Sequence, residues 1–165
     1  MIYLFIGQPG SGKTEMAKRL VDKLGEKTIW IDGDDLREIF PNTDYTYSGR
    51  VRNIEKSFTI ARFMSQKGHD VVISMVCPYR AIREDLKANN EVTEVLFNRS
   101  HFSGKEKFHV DGFELPVKNY KTFVNGDNPE ESLEELISIL NLESILKNMQ
   151  CTSEDGRIGT RDING

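Results

Sequence analysis

Residues 7–20 read GQPGSGKTEMAKRL, and the first eight of them have the spacing Gly-x-x-x-x-Gly-Lys-Thr. Glycines in such a loop let the backbone turn tightly and direct its N–H groups at phosphate oxygens. An apolar run at 2–6 precedes the loop and a helical pattern begins near Lys13, which is the strand–loop–helix context that a phosphate-binding loop requires. The stretch therefore predicts an α/β fold with a nucleoside triphosphate bound at the loop.

The loop residues have expected roles in holding the triphosphate. The positive end of the helix dipole near Lys13 favours a bound phosphate group. We expect Lys13 to reach the β- and γ-phosphates, and the hydroxyl of Thr14 to be a ligand of Mg²⁺. The predicted phosphate-binding residues are Gly7, Gln8, Pro9, Gly10, Ser11, Gly12, Lys13 and Thr14.

Downstream of the loop, β-rich apolar runs alternate with helical patterns. This alternation predicts a three-layer α/β sandwich, in which a mostly parallel sheet is covered by helices on both faces. Strands are expected at 2–6, 28–32, 70–76, 92–98 and 120–125. Helices are expected at 13–24, 34–40, 50–67, 78–88 and, as one long acidic helix, 128–149.

The composition indicates one globular domain of 165 residues with a formal net charge of −4. No long basic stretch is present, which disfavours a nucleic-acid partner. The apolar N-terminal segment is too short for a signal peptide or a membrane span, so no membrane association is expected. Cys77 and Cys151 match no metal-ligand spacing and indicate a reduced, cytoplasmic protein. Residues 148–165 are expected to form a disordered tail.

The stretch IDGDDLR at 31–37 begins where the second strand is expected to end. Ligands of open α/β sheets lie beyond the carboxyl ends of the strands, so Asp32 and Asp34 are expected near the transferred phosphate. A carboxylate there can accept a hydrogen bond from an attacking hydroxyl or position water on the metal. The alternative is that these acids only cap the following helix, and Asp34 is a good candidate for such a cap.

Five arginines follow in or beside the predicted loops and helix starts: Arg37, Arg50, Arg52, Arg80 and Arg83. Guanidinium groups bind phosphate and sulfate oxygens in bidentate fashion, so a cluster of them suits an anionic acceptor. For Arg52 and Arg83 a solvated helix face is an equally good interpretation. The third strand carries Ser74 and no aspartate, which favours a small-molecule kinase over a motor or switch protein.

The segments GQPGSGKT, IDGDDLR, GRVRNI and SMVCPYRAIR resemble successive motifs of the adenylylsulfate kinase family in order and spacing. The resemblance covers 2–98 well and 120–140 loosely. It implies a P-loop kinase fold, commonly a homodimer, that transfers the γ-phosphate of ATP to the 3′-hydroxyl of adenylylsulfate with Mg²⁺. It implies that Asp32, with Lys13, is catalytic. The predicted acceptor-binding residues are Asp34, Arg37, Arg50, Asn53, Ser74, Pro78 and Tyr79.

The sequence also departs from the family pattern. Gly49 stands where the family has Asp, Arg52 where it has Glu, and Cys77 where it has Ser. Within the expected kinase domain, 1–147, the lid at about 98–119 is shorter than that of the family. Its candidate features are a hinge at Gly104, the cations Arg99, Lys105 and Lys107, and the surface residues His101 and His109.

Two alternatives to adenylylsulfate phosphorylation therefore stay open. One is a related kinase for another hydroxyl acceptor, such as a nucleotide, a modified nucleoside or a sugar alcohol. The other is a nucleotide-binding module without turnover.

Overall fold

The structure is a computed structural model that describes residues 1–99 and 104–154. Its centre is a five-stranded sheet with the order β2-β3-β1-β4-β5. Every neighbouring pair is parallel, so the sheet is fully parallel rather than mostly so. The strands are β1 (Ile2–Ile6), β2 (Thr28–Asp32), β3 (Asp70–Ser74), β4 (Val92–Arg99) and β5 (Tyr120–Asn125).

Helices cover both faces of the sheet, which confirms the predicted three-layer α/β sandwich. The helices are α1 (Lys13–Leu24), α2 (Gly33–Ile39), α3 (Tyr47–Gln66), α4 (Arg80–Asn89), α5 (Pro129–Ile139) and α6 (Glu143–Glu154), with a short 3₁₀ turn at Glu106–Phe108. Helices α1 and α5 pack on one face, and α3 and α4 on the other. None of the helices in the described ranges is long and apolar enough to cross a bilayer.

The central strand β1 is buried on both faces because helices cover each side of it. Tyr3 and Phe5 face a core that includes Met16 and Leu20 of α1. Ile2, Leu4 and Ile6 face the second core, to which α3 contributes Ile54, Phe58 and Ala61. The phosphate loop therefore starts at the end of the buried central strand of the sheet.

Several predicted boundaries were wrong. The single helix expected at 128–149 is two helices, because Asn141 adopts a left-handed conformation with φ of 57° and ends α5 before α6 begins. Helix α6 continues through Glu154, so 148–154 are helical, while 155–165 lie outside the described residues. Strand β3 ends at Ser74, two residues earlier than predicted.

The start of α4 also differs from the prediction. Helix α4 begins at Arg80, after an extended Tyr79, so Pro78 precedes the helix instead of lying in its first turn. Helix α3 begins at Tyr47, three residues earlier than predicted, because the hydroxyl of Thr46 accepts a hydrogen bond from the backbone N–H of Gly49.

Arg83 is a buried structural residue, so a solvated helix face is the wrong interpretation for it. Its Nε donates to Glu94 Oε1 at 2.7 Å, and neither side chain is exposed to solvent. Its other nitrogens donate to the carbonyl oxygens of Cys77 at 2.7 Å and Glu114 at 2.6 Å. The guanidinium thus joins α4 to β4, to the turn after β3 and to the segment that precedes β5.

Arg52 is exposed and pairs with Asp44 at 2.8 Å.

We expect Arg83→Met to lower the free energy of unfolding by about 3–5 kcal/mol. The variant leaves the buried Glu94 with Lys87 as its remaining cation, and it removes the donor of the Cys77 and Glu114 carbonyl oxygens. The double variant Arg83→Met/Glu94→Leu should recover part of this loss, because it removes the buried carboxylate as well. Urea unfolding of the nucleotide-free protein measures both. The control is Arg62→Met on α3, whose guanidinium donates to the neighbouring Thr59 on the surface of that helix. A loss in Arg83→Met no larger than that of the control would contradict the structural role.

Candidate functional site

A cleft of about 1060 Å³ opens at the carboxyl ends of β1, β2 and β3. Three loops contribute to it, namely the loops that follow these strands, and the segment after β4 closes one side. Most predicted site residues line this cleft: Pro9, Gly10, Gly12, Lys13, Thr14, Asp32, Asp34, Arg37, Arg50, Asn53, Ser74 and Pro78. Gly7, Gln8, Ser11 and Tyr79 lie behind or beside its wall.

The phosphate loop is anchored by a residue that sequence reasoning missed. Asn125, buried at the end of β5, donates from Nδ2 to the carbonyl oxygen of Ser11 at 3.2 Å. Gly12 has φ of 86°, and a Cβ there would lie 1.9 Å from Nδ2 of Asn125. Only glycine fits this position. A polar residue at the carboxyl end of a predicted strand was the signal that could have identified Asn125.

Lys13 is folded back onto the loop. Its Nζ donates to the carbonyl oxygen of Gln8 at 2.9 Å and to Ser11 Oγ at 3.1 Å. Burial lowers the pKa of Lys13 to about 8, although the carboxylates of Asp32 and Asp34 oppose the shift. The ammonium group is therefore poorly solvated, and the oxygens of a bound phosphate would compensate it.

Asp32 is at the centre of the hydrogen bonds in the cleft. Its Oδ2 accepts from Thr14 Oγ1 at 2.9 Å and from Ser74 Oγ at 2.7 Å. Its Oδ1 accepts from the backbone N–H of Asp34 at 2.9 Å, so Asp32 is the N-cap of α2. Ser74 in turn accepts from Trp30 Nε1 at 2.9 Å.

These bonds decide between the two interpretations of the aspartates. Asp32 both caps the helix and faces the cleft, so its two expected roles are compatible. Asp34 does not cap the helix, and the prediction of such a cap was wrong. Its side chain is exposed and lines the cleft instead.

The neighbouring oxygens of Thr14 and Asp32 match the ligand preference of a hard divalent cation. Mg²⁺ takes oxygen ligands, and it is usually held by one or two protein groups while phosphate oxygens and waters complete its shell. The Thr14 hydroxyl oxygen and the Asp32 carboxylate, 2.9 Å apart, are such a pair.

The two arginines at the far rim are held by Tyr45, which sequence reasoning did not identify. The guanidinium of Arg37 lies 4.1 Å from the centroid of the Tyr45 ring, and that of Arg50 lies 5.5 Å from it. Arg37 Nη1 donates to the carbonyl oxygens of Asn42 and Asp44, and Arg50 Nε donates to that of Tyr45. The structure thus brings the two predicted cations together at one rim.

Gly49 explains one departure from the family pattern. A Cβ at this position would lie 2.2 Å from the carbonyl oxygen of Asp44, so the loop that carries Tyr45 packs directly on the first turn of α3. Asn53, also in α3, lines the cleft and is buried. Its Nδ2 donates to the carbonyl oxygen of Gly33 at 3.1 Å, and this bond fixes α3 against the start of α2.

The turn after β3 forms the opposite wall. Cys77 is buried with φ of 45°, and burial raises the pKa of its thiol to about 12. Pro78 lines the cleft, but Tyr79 does not, because its ring packs 4.6 Å from the ring of Tyr47. Burial also raises the pKa of Tyr79.

The described parts of the predicted lid, 98–99 and 104–119, border one side of the cleft. Arg99 and Lys105 line the cleft together with Phe108 and Val110. Lys107 points elsewhere, with Nζ 5.0 Å from the centroid of the Phe108 ring. His101 lies outside the described residues. Two of the three candidate lid cations thus face the site.

The comparisons with known proteins agree with the motifs. A family model described as adenylylsulphate kinase matches residues 1–105. The bifunctional enzyme NodQ of Rhizobium sp. (strain N33) is 31% identical over 143 residues, which cover 81% of this chain and 22% of that protein. The cytidine diphosphoramidate kinase of Campylobacter jejuni is 33% identical over 93 residues, covering 52% of this chain and 55% of that protein. The chain therefore matches only part of the length of these two relatives.

A solved structure shows the same fold. The Mycobacterium tuberculosis APS kinase CysC, in complex with AMPPNP and APS, superimposes with a TM-score of 0.68 at 19% identity. The match covers 85% of this chain and 96% of that one. This likeness confirms the architecture that the sequence predicted.

The lowered pKa of Lys13 predicts a pH-dependent stability of the nucleotide-free protein. Folding lowers the pKa of Lys13 from 10.5 to about 8. Between pH 8 and pH 10.5, the unfolded chain therefore binds more protons than the folded protein. Below pH 8 the folded protein bears the full free-energy cost of burying the charged Lys13 ammonium group. This cost disappears as the pH rises toward 10.5. Lys13→Met removes this titration, so the stability advantage of the variant over the parent should shrink across that window. Urea unfolding at pH 7, 9 and 10.5 measures the difference, and a constant difference would show that Lys13 is not desolvated.

Proposed function

The chain belongs to the adenylylsulphate kinase family, and we propose that it transfers the γ-phosphate of ATP to the 3′-hydroxyl of adenylylsulfate. The observation that carries this proposal is one continuous cleft with the phosphate loop at one end and a pair of arginines at the other. Asp32 lies between them. The arrangement suits two anionic substrates that meet at a carboxylate.

On the nucleotide side, Lys13 would exchange its internal hydrogen bonds for the β- and γ-phosphate oxygens of ATP. The backbone N–H groups of the loop and the N-terminus of α1 would hold the remaining phosphate charge. Thr14 and Asp32 would hold Mg²⁺, which supplies charge neutralisation at the phosphate oxygens when it is bound. The expected product is ADP.

On the acceptor side, Asp32 would accept a hydrogen bond from the attacking hydroxyl. An ionised carboxylate has about four acceptor sites. Ser74 and the N–H of Asp34 use two of them, and Mg²⁺ would take a third in place of the hydrogen bond from Thr14. One further bond would orient the acceptor oxygen in line with the γ-phosphate, while Arg37 and Arg50 bind its anionic end.

A second candidate acceptor is a nucleotide with a different tetrahedral end group, such as cytidine diphosphoramidate. Two observations favour it. The rim is built differently from the family pattern, with Gly49 under the Tyr45 loop and Arg52 paired to Asp44. A relative at 33% identity is named cytidine diphosphoramidate kinase. Both acceptors share a nucleotide and an anionic end that guanidinium groups can bind.

The remaining predictions concern the whole protein. The homodimer that the resemblance implied, the cytoplasmic location and the absence of nucleic-acid partners stay predictions. Small-molecule substrates are the partners that the cleft suits.

The direct experiment is to measure ADP release with ATP, Mg²⁺ and adenylylsulfate, beside cytidine diphosphoramidate, nucleosides and sugar alcohols. We expect acceptor-dependent turnover with adenylylsulfate. Turnover with another acceptor alone would retain phosphoryl transfer and reject adenylylsulfate as the substrate. ATP binding without turnover on any acceptor would favour a nucleotide-binding module.

Asp32→Asn should lower kcat by about 10²–10⁴, the range expected for loss of a positioned proton acceptor. The amide oxygen can still accept from the N–H of Asp34, so the cap of α2 is kept. ATP affinity, measured by calorimetry without Mg²⁺, should change little. Asp35→Asn, an exposed neighbour on the same helix, is the control. Full activity of Asp32→Asn would reject Asp32 as the acceptor of the hydroxyl proton.

A further inference from the structure

Gln8 in the phosphate loop is bonded to the lid through both ends of its amide. Its Nε2 donates to the carbonyl oxygen of Val110 at 3.0 Å, and its Oε1 accepts from the N–H of Val110 at 2.8 Å. The two residues are 102 positions apart in the chain. The side chain is half-buried and lies behind the cleft wall rather than in it. Since both of its polar groups are used, the amide is committed to the lid instead of to a ligand.

A second contact beside the first packs the lid on the same loop. A Cβ built on Gly10 would lie 3.1 Å from the Cβ of Lys105, so the alkyl chain of Lys105 rests on the backbone of the loop. Lys105 also lines the cleft next to Lys13, and its charge is one of the causes that lower the pKa of Lys13. The lid therefore brings a second cation to the place where the phosphates are expected.

The other end of this segment is fixed to the acceptor wall. The N–H of Glu114 donates to the carbonyl oxygen of Pro78 at 2.9 Å, and Glu114 Oε2 accepts from the N–H of Arg80 at 2.6 Å. Residues 105–114 thus run from the phosphate loop to the turn after β3. At the nucleotide end, both polar groups of the Gln8 amide join the loop to the lid.

We propose that Gln8 is a positioning residue that holds the lid closed on the phosphate loop and so keeps Lys105 beside the phosphates. The catalytic consequence rests on the proposed phosphoryl transfer, whereas the closure itself does not. A lid held at this point excludes water from the γ-phosphate and favours transfer to the acceptor over hydrolysis.

The first test needs no substrate. Gln8→Met keeps the length of the side chain and removes both hydrogen bonds, and Gln8→Asn keeps the amide but shortens its reach. We expect the amide hydrogen of Val110 to exchange about 25-fold faster in both variants, since the loss of each of the two bonds contributes a factor of about five. Trypsin should cleave after Lys105 and Lys107 correspondingly faster. Gln66→Met, an exposed residue at the end of α3, is the matched control.

Thermal unfolding verifies that each variant is folded, and Gln8→Asn replaces Gln8→Met if the latter is not. Exchange at Val110 equal to that of the Gln66→Met control would overturn the proposal. So would unchanged cleavage after both lysines.

The second test measures the catalytic consequence with ATP, Mg²⁺ and whichever acceptor supports turnover. We expect the Gln8 variants to release more than one ADP per phosphorylated acceptor, with kcat lowered about tenfold. A ratio that stays at one in a variant with a faster-exchanging lid would reject the positioning role. If no acceptor supports turnover by the parent protein, the proposed function fails, while amide exchange still decides whether Gln8 closes the lid.

Discussion

The site depends on the hydrogen bonds that converge on Asp32. Its carboxylate accepts hydrogen bonds from Thr14 in the first turn of α1, from Ser74 at the end of β3 and from the backbone N–H of Asp34 in α2. The register of the sheet makes this possible, because Asp32 and Ser74 are directly paired between β2 and β3. A shift of one residue in that pairing would turn Asp32 to the opposite face. The geometry of the cleft is thus fixed by the backbone pairing of two buried strands.

Sequence patterns predicted the five strands and most helices because each has a clear apolar period. They also predicted which loops meet, since the carboxyl ends of parallel strands share one edge of the sheet. Sequence patterns did not predict the roles of Asn125, Tyr45 and the Gln8–Val110 pair. Each role depends on a contact between residues of different loops or strands, which sequence spacing does not encode. The break between α5 and α6 was missed for a different reason. Leu140 and Leu142 are both buried, and these apolar residues on either side of Asn141 conceal its left-handed turn.

The two ends of the cleft are supported in different ways. The phosphate loop is held by Asn125 of β5 and by the central strand, so its shape is tied to the core. The opposite rim is a loop at 42–46, held by short-range hydrogen bonds and by the contacts of the Tyr45 ring with the guanidinium groups of Arg37 and Arg50. Changes in such a loop leave the core intact. Substitutions in the rim can therefore leave the phosphate loop of this chain unchanged.

The position of Trp30 makes it a potential spectroscopic reporter of the cleft. It is the only tryptophan of the chain, and its indole N–H donates to Ser74, which in turn donates to Asp32. The indole is therefore two hydrogen bonds away from the carboxylate at the centre of the cleft. Its fluorescence reports on the polarity and hydrogen bonding around Ser74 without any added label. The protein thus contains an intrinsic optical probe connected to the carboxylate of its cleft.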